Sequence, residues 1–134
     1  MRIVNVKTYG GIAKAREAGV VYCGRPTCVG NPYTHLNGVK NTVKVATRQE
    51  AIRKYKQWLW DKICRRDPAI IGFLNSLTEN SILGCWCVPE PCHCEVLIQA
   101  WQWWKDFGLD EDKRCARLEE CRELIDQQTG LLEV

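Results

Sequence analysis

The run Ser81-Ile82-Leu83-Gly84-Cys85-Trp86-Cys87-Val88-Pro89-Glu90-Pro91-Cys92-His93-Cys94 changes character halfway along. Its first six residues, apolar around a single glycine, read as a strand. Pro89 and Pro91 then bar strand or helix from continuing before Cys92. A helix starts at about that point, with Val96, Leu97, Ala100, Trp104 and Phe107 recurring on one face and Gly108 placed to end it. A strand that feeds a helix through a short turn is the building unit of α/β domains, and the rest of the chain is consistent with that class.

Toward the N-terminus, Ile3-Val4-Asn5-Val6 and Gly19-Val20-Val21-Tyr22-Cys23 are short runs rich in Val and Ile and read as two further strands. Ile12 to Ala18, between them, is read as a helical turn or a loose loop. Residues 24–47 are rich in Gly, Pro, Asn and Thr, with turn signals at Gly30-Asn31-Pro32 and Asn37-Gly38, and read as one long loop. Thr47-Arg48-Gln49-Glu50 has the capping-box pattern that opens a helix, after which Ile52, Tyr55, Leu59 and Ile63 fall on one stripe. Asp67-Pro68 supplies a second helix start, followed by the apolar face Ile70, Ile71, Leu74 and Leu77. A last helix is expected from Asp110 to Gln128, with Cys115, Leu118, Cys121, Leu124 and Ile125 inward and an outward Asp110–Arg114 pair, before a tail over 129–134. The expectation is a small Rossmann-like three-layer α/β domain over residues 1–108, with a short, mainly parallel sheet, and a C-terminal helical extension over 109–134.

Composition narrows the class without naming a function. At 134 residues, 46% hydrophobic and 26% charged, the chain has the make-up of an ordinary globular domain. No apolar run is long enough to span a bilayer, and residues 1–7 lack the apolar core of a secretory signal, so a cytoplasmic location is expected. Nine cysteines in a reducing compartment point to thiol chemistry or metal rather than to a disulfide framework. The formal charge of +3 hides an asymmetry. Residues 38–66 carry nine Lys/Arg against two acids, and residues 106–134 nine acids against four bases. Solvated helix faces account for such a split, as does a surface for phosphates or an acidic partner.

Two motifs carry chemistry, and each directly follows a strand. Cys85 and Cys87 point to one face if the strand continues through them, while Cys92 and His93 fall in the first helical turn, where the helix dipole favours thiolate over thiol. Three readings stay open. Cys92 acts as a thiolate with His93 as proton shuttle, or Cys85, Cys87, Cys92 and His93 (or Cys94) hold zinc or an iron–sulfur group, or the cysteines are small buried hydrophobes. The second motif, Gly24-Arg25-Pro26-Thr27-Cys28-Val29-Gly30-Asn31-Pro32, combines glycines for close backbone approach with a permanent cation and an amide. Those are parts of an anion or nucleotide pocket, although a purely structural loop with Arg25 paired to an internal acid uses the same residues. Trp101, Trp103 and Trp104 read as core and interface, whereas Trp86, between two cysteines, faces away from them into the core or onto a ligand ring.

At these motifs the chain resembles a small phage and bacterial family known as domain of unknown function 4326. The resemblance rests on Gly24-Arg25-Pro26, Gly30-Asn31-Pro32-Tyr33, Arg48-Gln49-Glu50-Ala51, and Cys85-Trp86-Cys87 through Pro89 to Cys92-His93, and it covers roughly residues 3–101. Family members commonly read Ser-Pro-Leu where this chain has Thr27-Cys28-Val29, and Gly where Cys94 stands, which sets Cys28 and Cys94 apart from any shared chemistry. The family brings no reaction with it.

If the second and third strands are parallel neighbours, the two motifs line one cleft beyond their carboxyl ends, where open α/β sheets bind ligands. The expected ligand is small, anionic and nucleotide-like. Arg25 and Asn31, with Gly24, Pro26 and Gly30 shaping the loop, hold its polar part. Cys85, Trp86 and Cys87 line the cleft, and Cys92 and His93 supply the reactivity. The alternative is a non-catalytic module in which metal at the cysteine turn organises a surface for protein or nucleic acid. Nucleic acid is the less favoured partner, no membrane is involved, and exposed tryptophans leave room for a dimer. Replacing Cys92 or Arg25 is expected to abolish binding with little change in melting temperature.

Overall fold

The computed structural model describes residues 1–107. Three strands, β1 (Arg2–Asn5), β2 (Val20–Tyr22) and β5 (Ile82–Cys85), form a parallel sheet in the order β1-β5-β2. The last strand in sequence is therefore the middle one in space. Its register sets Asn5 opposite Cys85 on one side and Tyr22 opposite Gly84 on the other.

The sheet is covered on both faces, and the period-2 alternation of its strands assigns each side chain to a layer. Val4, Val20, Tyr22 and Ile82 face a small cluster with Val6 and Ala15, built on a 3₁₀ turn (Val6–Tyr9) and α1 (Ile12–Glu17). Ile3, Val21, Leu83 and Cys85 face the larger core under α2 (Arg48–Cys64), α3 (Pro68–Ser76) and α4 (His93–Phe107). Gly84 stands where a side chain on the first face would collide, since a Cβ there would lie 2.6 Å from Val20 Cγ1 and 2.8 Å from Val6 Cγ1. The expected α/β class, with a short parallel sheet and helices on either side, is the one this chain adopts.

Local signals place the helices. Thr47 Oγ1 accepts from the Glu50 amide at 3.1 Å, and Glu50 Oε2 accepts from the Ala46 amide at 3.1 Å, one residue earlier than a standard capping box. Asp67 Oδ1 accepts from the amides of Ala69 and Ile70, with Pro68 opening α3. Tyr55, Leu59 and Ile63 are fully buried on the α2 stripe, with Ile52 half-buried at its start. Val96, Leu97, Ala100 and Trp104 form the buried face of α4.

Three readings shift. Val6 leaves the sheet for the 3₁₀ turn because Asn5 caps it, its Oδ1 accepting from the Lys7 amide at 2.9 Å. Ile12–Glu17 is a true helix, and Ala18 N–H closes onto Lys14 and Ala15. The segment 24–47 is not loop throughout. β3 (Tyr33–Thr34) and β4 (Val43–Lys44) pair in parallel, joined by Val43 N–H to Pro32 O and Val45 N–H to Thr34 O, both at 2.8 Å. Strands two residues long give no periodicity to read. The helix and tail expected over 110–134, their inward cysteines and leucines, the Asp110–Arg114 pair and the Gly108 stop lie outside the described residues, as does the boundary at 108/109.

Candidate functional site

Because β2 and β5 are parallel neighbours, the chain leaves both at the same end of the sheet. The loop after β2 is shaped by its own backbone. Thr27 and Gly30 amides close successive turns onto Gly24 O and Thr27 O, each at 3.0 Å, and the Thr27 hydroxyl donates to Gly24 O at 2.7 Å. Gly30 allows the loop to fold onto itself, since a Cβ there would lie 3.0 Å from Arg25 N and Cα. Tyr55, buried in α2, donates its hydroxyl to Val29 O at 2.7 Å and fixes the loop to the core. Asn31 does the same from the other side, its Nδ2 donating to Ala51 O at 3.2 Å while its Oδ1 accepts the Tyr33 amide at 2.9 Å.

The turn after β5 is anchored by β1. Asn5 Nδ2 donates to Trp86 O at 3.3 Å and to Val88 O at 2.8 Å. The two loops are then joined by a relay in which Trp86 Nε1–H donates to the Tyr22 hydroxyl at 3.1 Å and that hydroxyl donates to Arg25 O at 3.0 Å. Arg25-Pro26 and Val88-Pro89, one bond in each loop, are cis.

Between the loops lies a cavity of about 510 Å³, within the usual size of small-ligand sites. Arg25 and Arg48 bring positive charge to its wall, Tyr22, Tyr33 and Trp86 bring ring surface, Glu90 brings a carboxylate, and Cys85, Cys87, Cys92 and His93 line it as well. Trp86 and Leu36 are both more than half exposed although they line the cavity. Arg25 Nη1 donates to Asn31 O at 2.7 Å, and among the described residues no carboxylate pairs with it. Its guanidinium keeps further donors for an anion.

Sulfur gathers around Cys92. Cys92 Sγ lies 3.1 Å from Cys85 Sγ and 3.5 Å from His93 Nδ1, and accepts the Cys94 amide at 3.4 Å. The thiols of Cys85, Cys87 and Cys92 are within 4.8 Å of one another, and so are the donor atoms of Cys92, His93 and Cys94. Hydrogen bonds from Cys85, then Cys87 and Cys94, hold the Cys92 thiol far below its ordinary range despite burial. The Cys87 and Cys94 thiols are correspondingly pushed up, the first chiefly by its bond to Cys85 and the second by its bond to Cys23. Burial opposes charge on His93, but the hydrogen bond and charge of Cys92 outweigh it and raise the imidazole pKa. The other ring nitrogen, Nε2, sits 2.7 Å from Cys23 O.

The residues read from sequence thus come together in part. Gly24, Arg25, Asn31, Cys85, Trp86, Cys87, Cys92 and His93 line one cavity, while Pro26 and Gly30 shape the loop behind it. Asn31 spends its amide on Ala51 and Tyr33, so it anchors the loop first. Cys92 immediately precedes α4 instead of lying in its first turn, and His93 opens the helix. Cys92 is only 2% exposed and belongs to the main core, so burial argues that replacing it lowers stability, where the sequence reading expects little change in melting. Trp86 does face away from the thiols, and Trp104 is core, its Nε1 donating to Asn75 Oδ1 at 2.7 Å. Tyr22, Tyr33, His35, Arg48 and Glu90 also line the cavity, and the sequence alone gives them no role as site residues. For Arg48 the family-like Arg48-Gln49-Glu50-Ala51 stretch was the available signal. Cys94, set aside as a departure from the family pattern, lies within the sulfur cluster.

The family model described as Domain of unknown function (DUF4326) matches residues 4–103. The matched span contains both loops and every cavity residue named above. No curated protein and no solved structure matches the chain. Among the described residues no helix is long and apolar enough to cross a membrane.

Proposed function

This chain belongs to the DUF4326 family, and on the geometry of the cleft that its two motifs share we propose that it binds a small, anionic, nucleotide-like ligand. The observation that carries the reading is one cavity with an arginine on its wall that has no carboxylate partner among the described residues, a half-exposed indole at its side and a sulfur/imidazole cluster lining it. Arg25 takes the anion through the donors that Asn31 O leaves free. Trp86, held by Tyr22 in one orientation, offers its face to a planar ring. With no metal bound to them, Cys92 and His93 are the groups positioned for any Cys-dependent chemistry on the bound molecule.

Binding of nucleic acid through residues 38–66 has less support. Lys54, Lys56 and Lys62 lie over Tyr33, Trp60 and Trp58, so three of the cations of α2 are engaged with rings of their own domain.

A panel of nucleoside mono- and diphosphates, screened by thermal shift and confirmed by calorimetry, tests the proposal. At least one is expected to stabilise the protein, by about 2.7 kcal/mol at a hundredfold excess over Kd. Arg25→Ala is expected to weaken that ligand by about tenfold or more, the worth of a charge-assisted hydrogen bond, with little change in the unliganded melting temperature because Arg25 is exposed. A panel without a single hit, or an Arg25→Ala variant that binds as wild type does, would sink the reading.

A further inference from the structure

We propose that Cys85, Cys87, Cys92 and His93 together bind one zinc ion at the cleft, whatever ligand the cleft takes. Cys23 O can only accept, so His93 Nε2, 2.7 Å away, carries a proton, and Nδ1 is the ring nitrogen left to bind a metal once any proton on it is displaced. Nδ1 faces Cys92 Sγ at 3.5 Å. An imidazole whose second nitrogen is tied to a backbone carbonyl, leaving the first free toward a cluster of donors, is the outer-shell arrangement of metal-ligating histidines.

The sulfurs supply the remaining positions. A tetrahedral ion with Zn–S bonds of ~2.3 Å separates its sulfurs by roughly 3.8 Å, and the three thiols already lie within 4.8 Å of one another. Cys92 belongs both to that group and to the group containing His93 and Cys94, and is the sulfur that the two sets share. The Cys94 amide donates to Cys92 Sγ, which offsets charge on a metal-bound thiolate, while the Cys94 thiol bonds first to Cys23 and then to Cys85 and Cys92. Cys85 and Cys92 are almost fully buried and His93 is 7% exposed. Thiols are weak mutual hydrogen-bonding partners, and three of them packed around a buried lone pair are better satisfied by a soft cation. Asn5 holds the turn from outside, so the donors converge through backbone geometry as well as through their own contacts.

Four protein ligands close the coordination shell, which makes the ion structural and takes Cys92 out of service as a nucleophile. Binding displaces the thiol protons and adds its free energy to folding.

The test is metal content and free thiols on the full chain, purified without oxygen or chelator from zinc-supplemented medium. About one zinc per chain is expected, retained in Cys28→Ser and lost in both Cys87→Ser and His93→Ala. Cobalt added to apoprotein should give thiolate-to-cobalt charge transfer and intense tetrahedral bands in the visible, a readout on wild type that holds even where a variant fails to fold. The proposal is overturned by protein without metal whose thiols all titrate, by a Cys85–Cys92 disulfide seen as the loss of two hydrogens in mass, by iron with labile sulfide, or by zinc that survives in Cys87→Ser and His93→Ala. None of these outcomes touches ligand binding through Arg25, which the nucleotide panel reads separately.

Discussion

Gly30 has almost no slack. Its α-carbon passes so close to the start of its own loop that an added methyl would meet the backbone N and Cα of Arg25 at 3.0 Å, and backbone atoms cannot retreat as a flexible side chain would. Gly30→Ala is therefore expected to cost about 1–3 kcal/mol and to displace Arg25 from the cavity wall. A urea midpoint and a ligand titration on the same variant separate the two effects. Wild-type values in both would show that the loop yields without strain. His93 is the opposite kind of residue, polar and buried, with both ring nitrogens engaged. The sequence marked it as unusual by placing it beside Cys92. It could not show that Cys23, seventy positions away, accepts a hydrogen bond from its Nε2.

At the scale of elements, α2 is begun by side chains and held by packing. Thr47 caps its first turn, and Thr47→Ala is expected to lower stability by about 1 kcal/mol, with Thr47→Ser close to wild type. Equal midpoints for all three proteins in urea would mean that the buried stripe of Tyr55, Leu59 and Ile63 alone sets where the helix starts. Such a cap was legible because it is a contact over three residues. The pairing of β3 with β4 was not, since each contributes two residues and the bonds that join them link Val43 to Pro32 and Val45 to Thr34, far apart in the chain. The same holds for Asn5, which reads as an ordinary polar residue ending a strand and turns out to secure the cysteine turn.

Across the whole molecule, the sheet separates two cores, and Gly84 is where the smaller one presses on the central strand. An alanine there would place its methyl 2.6 Å from Val20 Cγ1 and 2.8 Å from Val6 Cγ1, wedging the α1 layer away from the central strand. Gly84→Ala is expected to cost about 1–3 kcal/mol. Because β5 also positions Cys85, the variant should lose part of its zinc as well, read by metal analysis on folded protein. Full metal content with unchanged stability would show that the α1 layer moves aside freely.

The sequence by itself determined the α/β class, the helix starts at Thr47 and Asp67, the apolar faces of three helices, and the position of each unusual motif directly after a strand. All of these rest on local spacing, on caps and turns whose partners lie within a few residues. Only the tertiary structure decided that β5 enters between β1 and β2, and this one choice creates the site. It sets the ends of β2 and β5 side by side, brings Asn5 to the turn, and places Cys23 against His93. Strand order follows from which edges pair and which faces are buried together, a competition among contacts far apart in the chain that no single stretch of residues records.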